Sequence, residues 1–153
     1  MFKKALFAAA IGATVVLAVP ASAQTGRVEL QTSIQLIRAT ADGEVLAPAT
    51  TVVPGDNLEF HVTYRNGTGA TVTDFVVVNP VPASITLAPQ SASQIEVSVD
   101  GGTVWGPLAT LTVADADGAR RPATADDVTH LRRTIATLAP EQTGSVTYRG
   151  IVQ

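Results

Sequence analysis

The sequence predicts an all-β protein, an immunoglobulin-like antiparallel β-sandwich of about seven to nine strands, preceded by a cleavable signal peptide. Apolar and polar side chains alternate at a period of two residues in most runs, which is typical of half-buried strands. Turn-forming Gly, Pro, Asn and Asp separate these runs at short intervals, and no convincing helical period occurs after residue 23. No repeat or linker divides residues 24–153, so we expect them to form a single domain.

The first 23 residues have the pattern of a secretory signal peptide. Lys3 and Lys4 precede an apolar run over residues 5–19, and Ala21-Ser22-Ala23 supplies the small residues of a cleavage site. The apolar run is shorter than the roughly twenty residues that a membrane-spanning helix needs. We therefore expect cleavage after Ala23, export to the periplasm or to the extracellular space or cell surface, and no membrane association afterwards.

Charge and composition exclude several classes of function. The chain has ten Lys plus Arg against thirteen Asp plus Glu, and both lysines lie in the signal segment, so the mature part is acidic. An acidic chain offers no basic surface for phosphates, and we expect no nucleic-acid partner. The absence of cysteine excludes disulfides, zinc–thiolate clusters and a thiol nucleophile.

Alternation is clearest in the first half of the mature chain. Residues 28–36 are predicted to form a half-buried strand with Val28, Leu30, Ile34 and Leu36 on one face. A turn at residues 41–43 leads into a second strand within residues 44–53. Residues 58–65 form a third, which Asn66-Gly67-Thr68-Gly69 closes in the manner of a hairpin.

The second half of the chain continues the pattern less regularly. Residues 72–78 are more continuously apolar, as in a strand that is covered on both sides or near its ends, and Pro80 and Pro82 end it. Residues 95–99, 108–113 and 145–152 are also predicted strands. Residues 127–138 could form a short helix, but their threonines favour a strand.

Four segments together resemble a known bacterial family. They are Val53-Pro54-Gly55-Asp56, the strand that ends in Tyr64-Arg65-Asn66-Gly67-Thr68-Gly69, the stretch Val76-Val77-Val78-Asn79-Pro80-Val81-Pro82-Ala83, and Gly144-Ser145-Val146-Thr147-Tyr148-Arg149. In this order they resemble the surface-protein repeat called the domain of unknown function 11 (DUF11) family, over about residues 45–153. The resemblance implies an immunoglobulin-like sandwich in a secreted or cell-surface bacterial protein, and it supplies no catalytic residues.

Candidate catalytic residues are few, and we expect no enzyme. His61 and His130 fall on the polar phase of their strands, where solvent exposure explains them. No sequence motif of a serine nucleophile accompanies them.

One acidic segment could offer oxygen ligands to calcium. It contains Asp115, Asp117, Asp126 and Asp127, but Arg120 and Arg121 oppose a bound cation. A plain turn with paired charges is the simpler interpretation. The sequence thus predicts no catalytic, cofactor-binding or metal-binding residue.

The remaining aromatic and charged residues have structural interpretations. Phe60, Tyr64, Phe75 and Tyr148 lie in the apolar phase and are expected in the core, whereas Trp105 is expected to cap the sandwich rather than project as a contact residue. Asn66-Gly67-Thr68 is formally a glycosylation sequon as well as a turn.

Arg133 is the exceptional residue, because it shares a phase with Leu131 and Ile135. An unpaired charge on a buried face would be costly. A carboxylate pairs with Arg133, the strand has a bulge there, or this side is open to a partner; the sequence does not choose among the three.

These features favour a secreted, non-enzymatic interaction module of the bacterial envelope or surface that acts through protein–protein contacts. The protein partner is unknown, and a second copy is one candidate, because residues 28–36 form a weakly charged strand suited to edge-strand pairing. The alternative is a periplasmic ligand-binding or enzyme-accessory domain that possesses a pocket between its sheets or binds calcium.

Overall fold

The computed structural model describes residues 26–153, and the predicted signal segment lies outside the described residues. This part of the chain forms an antiparallel β-sandwich, as predicted, although it has ten strands rather than seven to nine. The additional strands are only three residues long, too short for an alternating pattern to identify. The elements are β1 (Val28–Thr40), β2 (Gly43–Pro48), β3 (Asn57–Asn66), β4 (Val72–Pro80), β5 (Ile85–Leu87), α1 (Pro89–Ala92), β6 (Glu96–Ser98), β7 (Thr112–Ala114), β8 (Arg120–Pro122), β9 (His130–Leu138) and β10 (Thr143–Val152), with short 3₁₀ turns at Leu108–Thr110 and Ala125–Asp127.

Two sheets of unequal width enclose the core. The first has five strands in the order β2-β1-β3-β10-β5, the second has three in the order β4-β9-β6, and β7 pairs with β8 as a separate ribbon. Neighbouring strands are antiparallel in all three sheets.

The side chains of β3 that point inward form the centre of the core. Phe60 stacks on Tyr148 of β10 with ring centroids 4.7 Å apart, and Tyr64 contacts Phe75 of β4 at 6.1 Å. The predicted aromatic core is therefore confirmed. Burial raises the pKa of Tyr148 to about 12, although a hydrogen bond donated by Asn79 opposes that shift.

The segment predicted to close a hairpin instead carries the chain from one sheet to the other. The side chain of Asn66 is fully buried at the end of β3. Its amide nitrogen donates to the carbonyl oxygens of Ala70 at 2.7 Å and of Leu138, in the second sheet, at 2.9 Å. Its oxygen accepts from the backbone nitrogen of Thr68 at 2.9 Å. The hairpin prediction is wrong, and the sequon asparagine is inaccessible in the folded chain.

Two other predicted strands differ in extent. Residues 49–53 are not part of β2, which ends at Pro48. The predicted strand over residues 108–113 begins as a 3₁₀ turn, in which the backbone nitrogen of Thr110 donates to the carbonyl oxygen of Pro107 at 2.9 Å, and only Thr112–Ala114 forms a strand. The pattern of side chains alone did not reveal this local turn.

The prediction that β1 is half-buried holds for only part of its length. Leu36 is 2% exposed, but Leu30 and Ile34, on the same face, are 50% and 45% exposed. Their register partners in β3 are the core residues Tyr64 and Phe60. The second sheet therefore does not extend over this end of the first sheet.

The outer face of β4, which forms one edge of the second sheet, is open to solvent. Its outward-facing Val76 and Val78 are exposed, so the prediction of a strand covered on both sides is wrong.

Replacing Asn66 with alanine should lower the free energy of unfolding by about 2–4 kcal/mol, because the carbonyl oxygens of Leu138 and Ala70 lose their buried donor. Urea denaturation with an unchanged m value measures the loss. Asn57→Ala is the matched control, since Asn57 is exposed in the same strand. Equal stability of the two variants would contradict the structural role of Asn66.

Candidate functional site

The beginning of β1 forms an unpaired edge of the first sheet. β2 pairs with β1 only over residues 35–40, whereas β3 pairs with it over residues 28–37. Among residues 26–153, the segment 28–34 therefore has a neighbouring strand on one side only. We call this segment the β1 open edge.

The direction of the backbone groups at the β1 open edge follows from the alternation of an antiparallel ladder. Gly67, beyond the end of β3, donates to the carbonyl oxygen of Arg27 at 3.0 Å, so the odd-numbered residues of β1 direct their backbone groups towards β3. The even-numbered residues Leu30, Thr32 and Ile34 consequently direct their N–H and C=O groups away from the sheet.

Two other edge strands, β2 and β4, carry features that oppose strand addition. β2 ends in Pro48, and β4 contains Asp74, whose φ of 51° interrupts its extended backbone, and ends in Pro80. Such features are common protection against edge-to-edge pairing. The β1 open edge contains no proline, and its single charged residue is Glu29.

A second opening lies near the opposite edge of the first sheet, beside β10 and next to Arg133. A groove of about 280 Å³ runs between β10 and β9, and its lining includes Tyr64, Arg133, Ile135 and Val146. Arg133 donates to the carbonyl oxygen of Gln94 at 3.2 Å. No carboxylate within residues 26–153 forms an ion pair with it.

The pairing of β4 with β9 is continuous at Arg132 and Arg133, so no bulge occurs there. Of the three alternatives for Arg133, a carboxylate partner among residues 26–153 and a bulge are excluded, and the side on which Arg133 lies is open.

A polar network covers the outer face of the first sheet. Glu59 accepts from Arg149 at 2.9 Å and contacts Nε2 of His61 at 2.8 Å, while Nδ1 of His61 lies 3.3 Å from the hydroxyl of Thr147. Burial alone would raise the pKa of Glu59, but hydrogen bonds from His61 and Arg149 outweigh it and hold that pKa below its usual value. Arg149 also pairs with Glu44 at 2.8 Å, so the network joins β2, β3 and β10.

This network places a hydroxyl, an imidazole and a carboxylate in line, as in a hydrolase. Thr147, however, lies on an extended strand at the exposed outer face, and the Glu59 carboxylate is shared with Arg149. A hydrolase nucleophile needs oxyanion donors grouped around a substrate cleft. These contacts instead join neighbouring strands of the sheet.

The acidic segment is organised around an arginine. Arg121 binds both carboxylate oxygens of Asp127 at 2.7 Å and one oxygen of Asp115 at 2.9 Å. The hydrogen bonds from Arg121 hold the pKa of Asp127 well below its usual range, against the effect of burial. Asp126 does not bind Arg121, and its carboxylate accepts a hydrogen bond from the hydroxyl of Thr86 at 2.5 Å. A calcium ion would have to displace the guanidinium from two of its carboxylates.

Within the described residues, no group of three or more His, Cys, Asp or Glu side chains is placed to hold a metal ion.

Trp105 lies beside β9 on the outer face of the second sheet. Its indole lies outside the core cluster, with the guanidinium of Arg132 4.8 Å from the ring centroid and the ring of His130 6.4 Å away. These β9 residues point to the outer face of the second sheet, so the prediction that Trp105 caps the core is wrong. Its Nε1 donates to the carbonyl oxygen of Gly102 at 2.8 Å, which satisfies the indole locally.

Comparisons with protein-family models, with curated proteins and with solved structures find no match to this chain. No helix among residues 26–153 is long and apolar enough to cross a membrane.

Replacing Asp127 with asparagine should reduce stability at neutral pH and flatten its dependence on acid. The pKa of Asp127 is lower in the folded chain than in the unfolded chain, so its contribution is present above about pH 4 and is lost as the pH falls further. The free energy of unfolding measured by urea at several pH values should therefore decline less steeply below about pH 4 in Asp127→Asn than in the parent.

Asp42→Asn controls for the loss of one negative charge, since Asp42 is exposed in the turn between β1 and β2. Identical acid profiles for the parent and Asp127→Asn would show that the pair with Arg121 does not stabilise the fold.

Proposed function

We propose that this protein is a secreted, non-enzymatic module of the bacterial cell envelope or surface that acts through protein–protein contacts, with the β1 open edge as its contact surface. The observation that carries the proposal is the coincidence of unpaired backbone groups with exposed apolar side chains at Leu30 and Ile34. An extended segment added there would gain main-chain hydrogen bonds and cover apolar surface together.

The signal-like segment and the family resemblance support the location. The basic start, the apolar run and Ala21-Ser22-Ala23 favour export and cleavage. N-terminal sequencing of the exported protein should begin at Gln24, and an intact Met1 would contradict export by this route.

A second copy of this chain fits the β1 open edge. In an antiparallel pair centred on Gln31, Val28 faces Ile34 of the other copy and Leu30 faces Thr32, so the core-side faces of both copies lie on one side of the joined sheet. Glu29 then faces Ser33, and no like charges are opposed. We therefore propose self-association by strand addition as the contact to test first.

The alternative of a periplasmic ligand-binding domain is favoured by one observation, the groove beside Arg133 between the two sheets. Calcium binding in the acidic segment gains no comparable support, because Arg121 already pairs with Asp115 and Asp127.

Replacing Ile34 with proline should abolish self-association while the fold is retained. Proline removes an N–H that points away from the sheet, so the ladder with β3 keeps its hydrogen bonds. Sedimentation velocity over a range of concentrations should show multimers of the parent and only monomers of Ile34→Pro, with circular dichroism confirming that the variant is folded. Leu30→Thr, which leaves the backbone unchanged, should weaken association.

The control is Val78→Thr, which removes an equally exposed valine from the outer face of β4 and should associate like the parent. A parent that remains monomeric at high concentration would overturn self-association, and if cross-linking in intact cells also captured no protein partner, the contact function would be wrong.

A further inference from the structure

The groove beside Arg133 has the features of a peptide-binding site. One of its walls is the unpaired side of β10. β5 pairs with β10 only over residues 150–152, and then the chain turns into α1. The preceding residues of β10 are paired with β3 alone.

The backbone of β10 is directed into this opening. Arg149 accepts at its carbonyl oxygen from Ala88 and donates its N–H to the hydroxyl of Ser91, each at 2.8 Å, on the side away from β3. By the alternation of the ladder, Thr147 and Ser145 direct their N–H and C=O groups to the same side. Among residues 26–153, Ser91 makes the last hydrogen bond along this edge of β10. An incoming segment would therefore lie beside β10 in the place where β5 would continue past Leu87.

The side chains of the groove set the chemistry of its occupant. Tyr64, Ile135 and Val146 give it apolar walls, and the ring of Tyr64 approaches Gly144 so closely that a Cβ there would lie 2.4 Å from the hydroxyl. Arg133 enters from the second sheet with no carboxylate partner among the described residues, and the sequence before residue 26 contains no Asp or Glu. A carboxylate is the group that a guanidinium binds best in a protein ligand.

We propose that this groove binds an extended peptide segment that pairs with the unpaired side of β10 at residues 143–147 and places one carboxylate side chain on Arg133. Alternate side chains of the added strand face the second sheet, so the residues two before and two after the acidic one contact the apolar walls. The ligand class is therefore an extended segment with one acidic residue between apolar ones at a spacing of two. This proposal does not depend on pairing at the β1 open edge, which lies on the other side of the first sheet.

The test is a titration of the ¹⁵N-labelled protein, isolated after export, with the capped peptide Val-Thr-Glu-Thr-Val. The amide signals of Ser145 and Thr147 should shift and saturate. Replacing the peptide glutamate with glutamine, or Arg133 with glutamine, should each weaken binding about tenfold, because both remove the charged hydrogen-bonded pair. Arg133 is exposed, so Arg133→Gln should fold normally, which its own spectrum verifies.

Arg132→Gln is the matched control, because the neighbouring Arg132 points to the outer face and pairs with Glu96 at 2.9 Å. It should bind the peptide like the parent. Equal binding of the glutamate and glutamine peptides, or no shift at Ser145 and Thr147, would overturn the proposal. If acetate alone reproduced the peptide's effect on these amides, the groove would be a simple anion site and the peptide proposal would be wrong.

These outcomes are independent of the association state that tests the β1 open edge. Ile34→Pro should bind the peptide like the parent, so a failure at one edge is distinguishable from a failure at the other.

Discussion

The core of this protein lies between two sheets of unequal width, and that inequality determines which surfaces stay open. Five strands face three, so the side chains at the centre of the first sheet are covered while those near its margin are not. Phe60 and Tyr148 are almost fully buried, yet Leu30 and Ile34 on the same face remain half exposed. Apolar surface left in water costs free energy that an added strand or a second copy would recover.

A frame of side-chain contacts joins the strands that carry the open edges. The buried amide of Asn66 ties the end of β3 to β9, and the ion pairs of Glu59 and Arg149 join β2, β3 and β10 across the outer face. Strands fixed in this way present their unpaired backbone groups in a constant geometry, which lowers the ordering cost of binding. The same frame includes His61, whose ring contacts Glu59 and Thr147.

The sequence predicted the long strands, because period-two alternation is a local signal that β3, β9 and β10 carry clearly. It did not predict where the chain changes sheets, since the turn chemistry of Asn66-Gly67-Thr68-Gly69 is the same in a hairpin and in a crossover. The exposure of Leu30 depends on the width of the other sheet, which is non-local information. Arg133 was detectable as a charge in an apolar phase, whereas the contribution of Ser91 to its groove had no sequence signal.

Amide hydrogen exchange distinguishes unpaired from paired backbone groups at the margins of the first sheet. At a dilution where sedimentation shows a monomer, the amides of Leu30, Thr32 and Ile34 should exchange rapidly, while those of Gln31 and Ser33, which point to β3, stay protected. We therefore expect fast and slow exchange to alternate along this strand. Equal protection of both sets in the monomer would show that this edge is already paired, and would contradict this expectation.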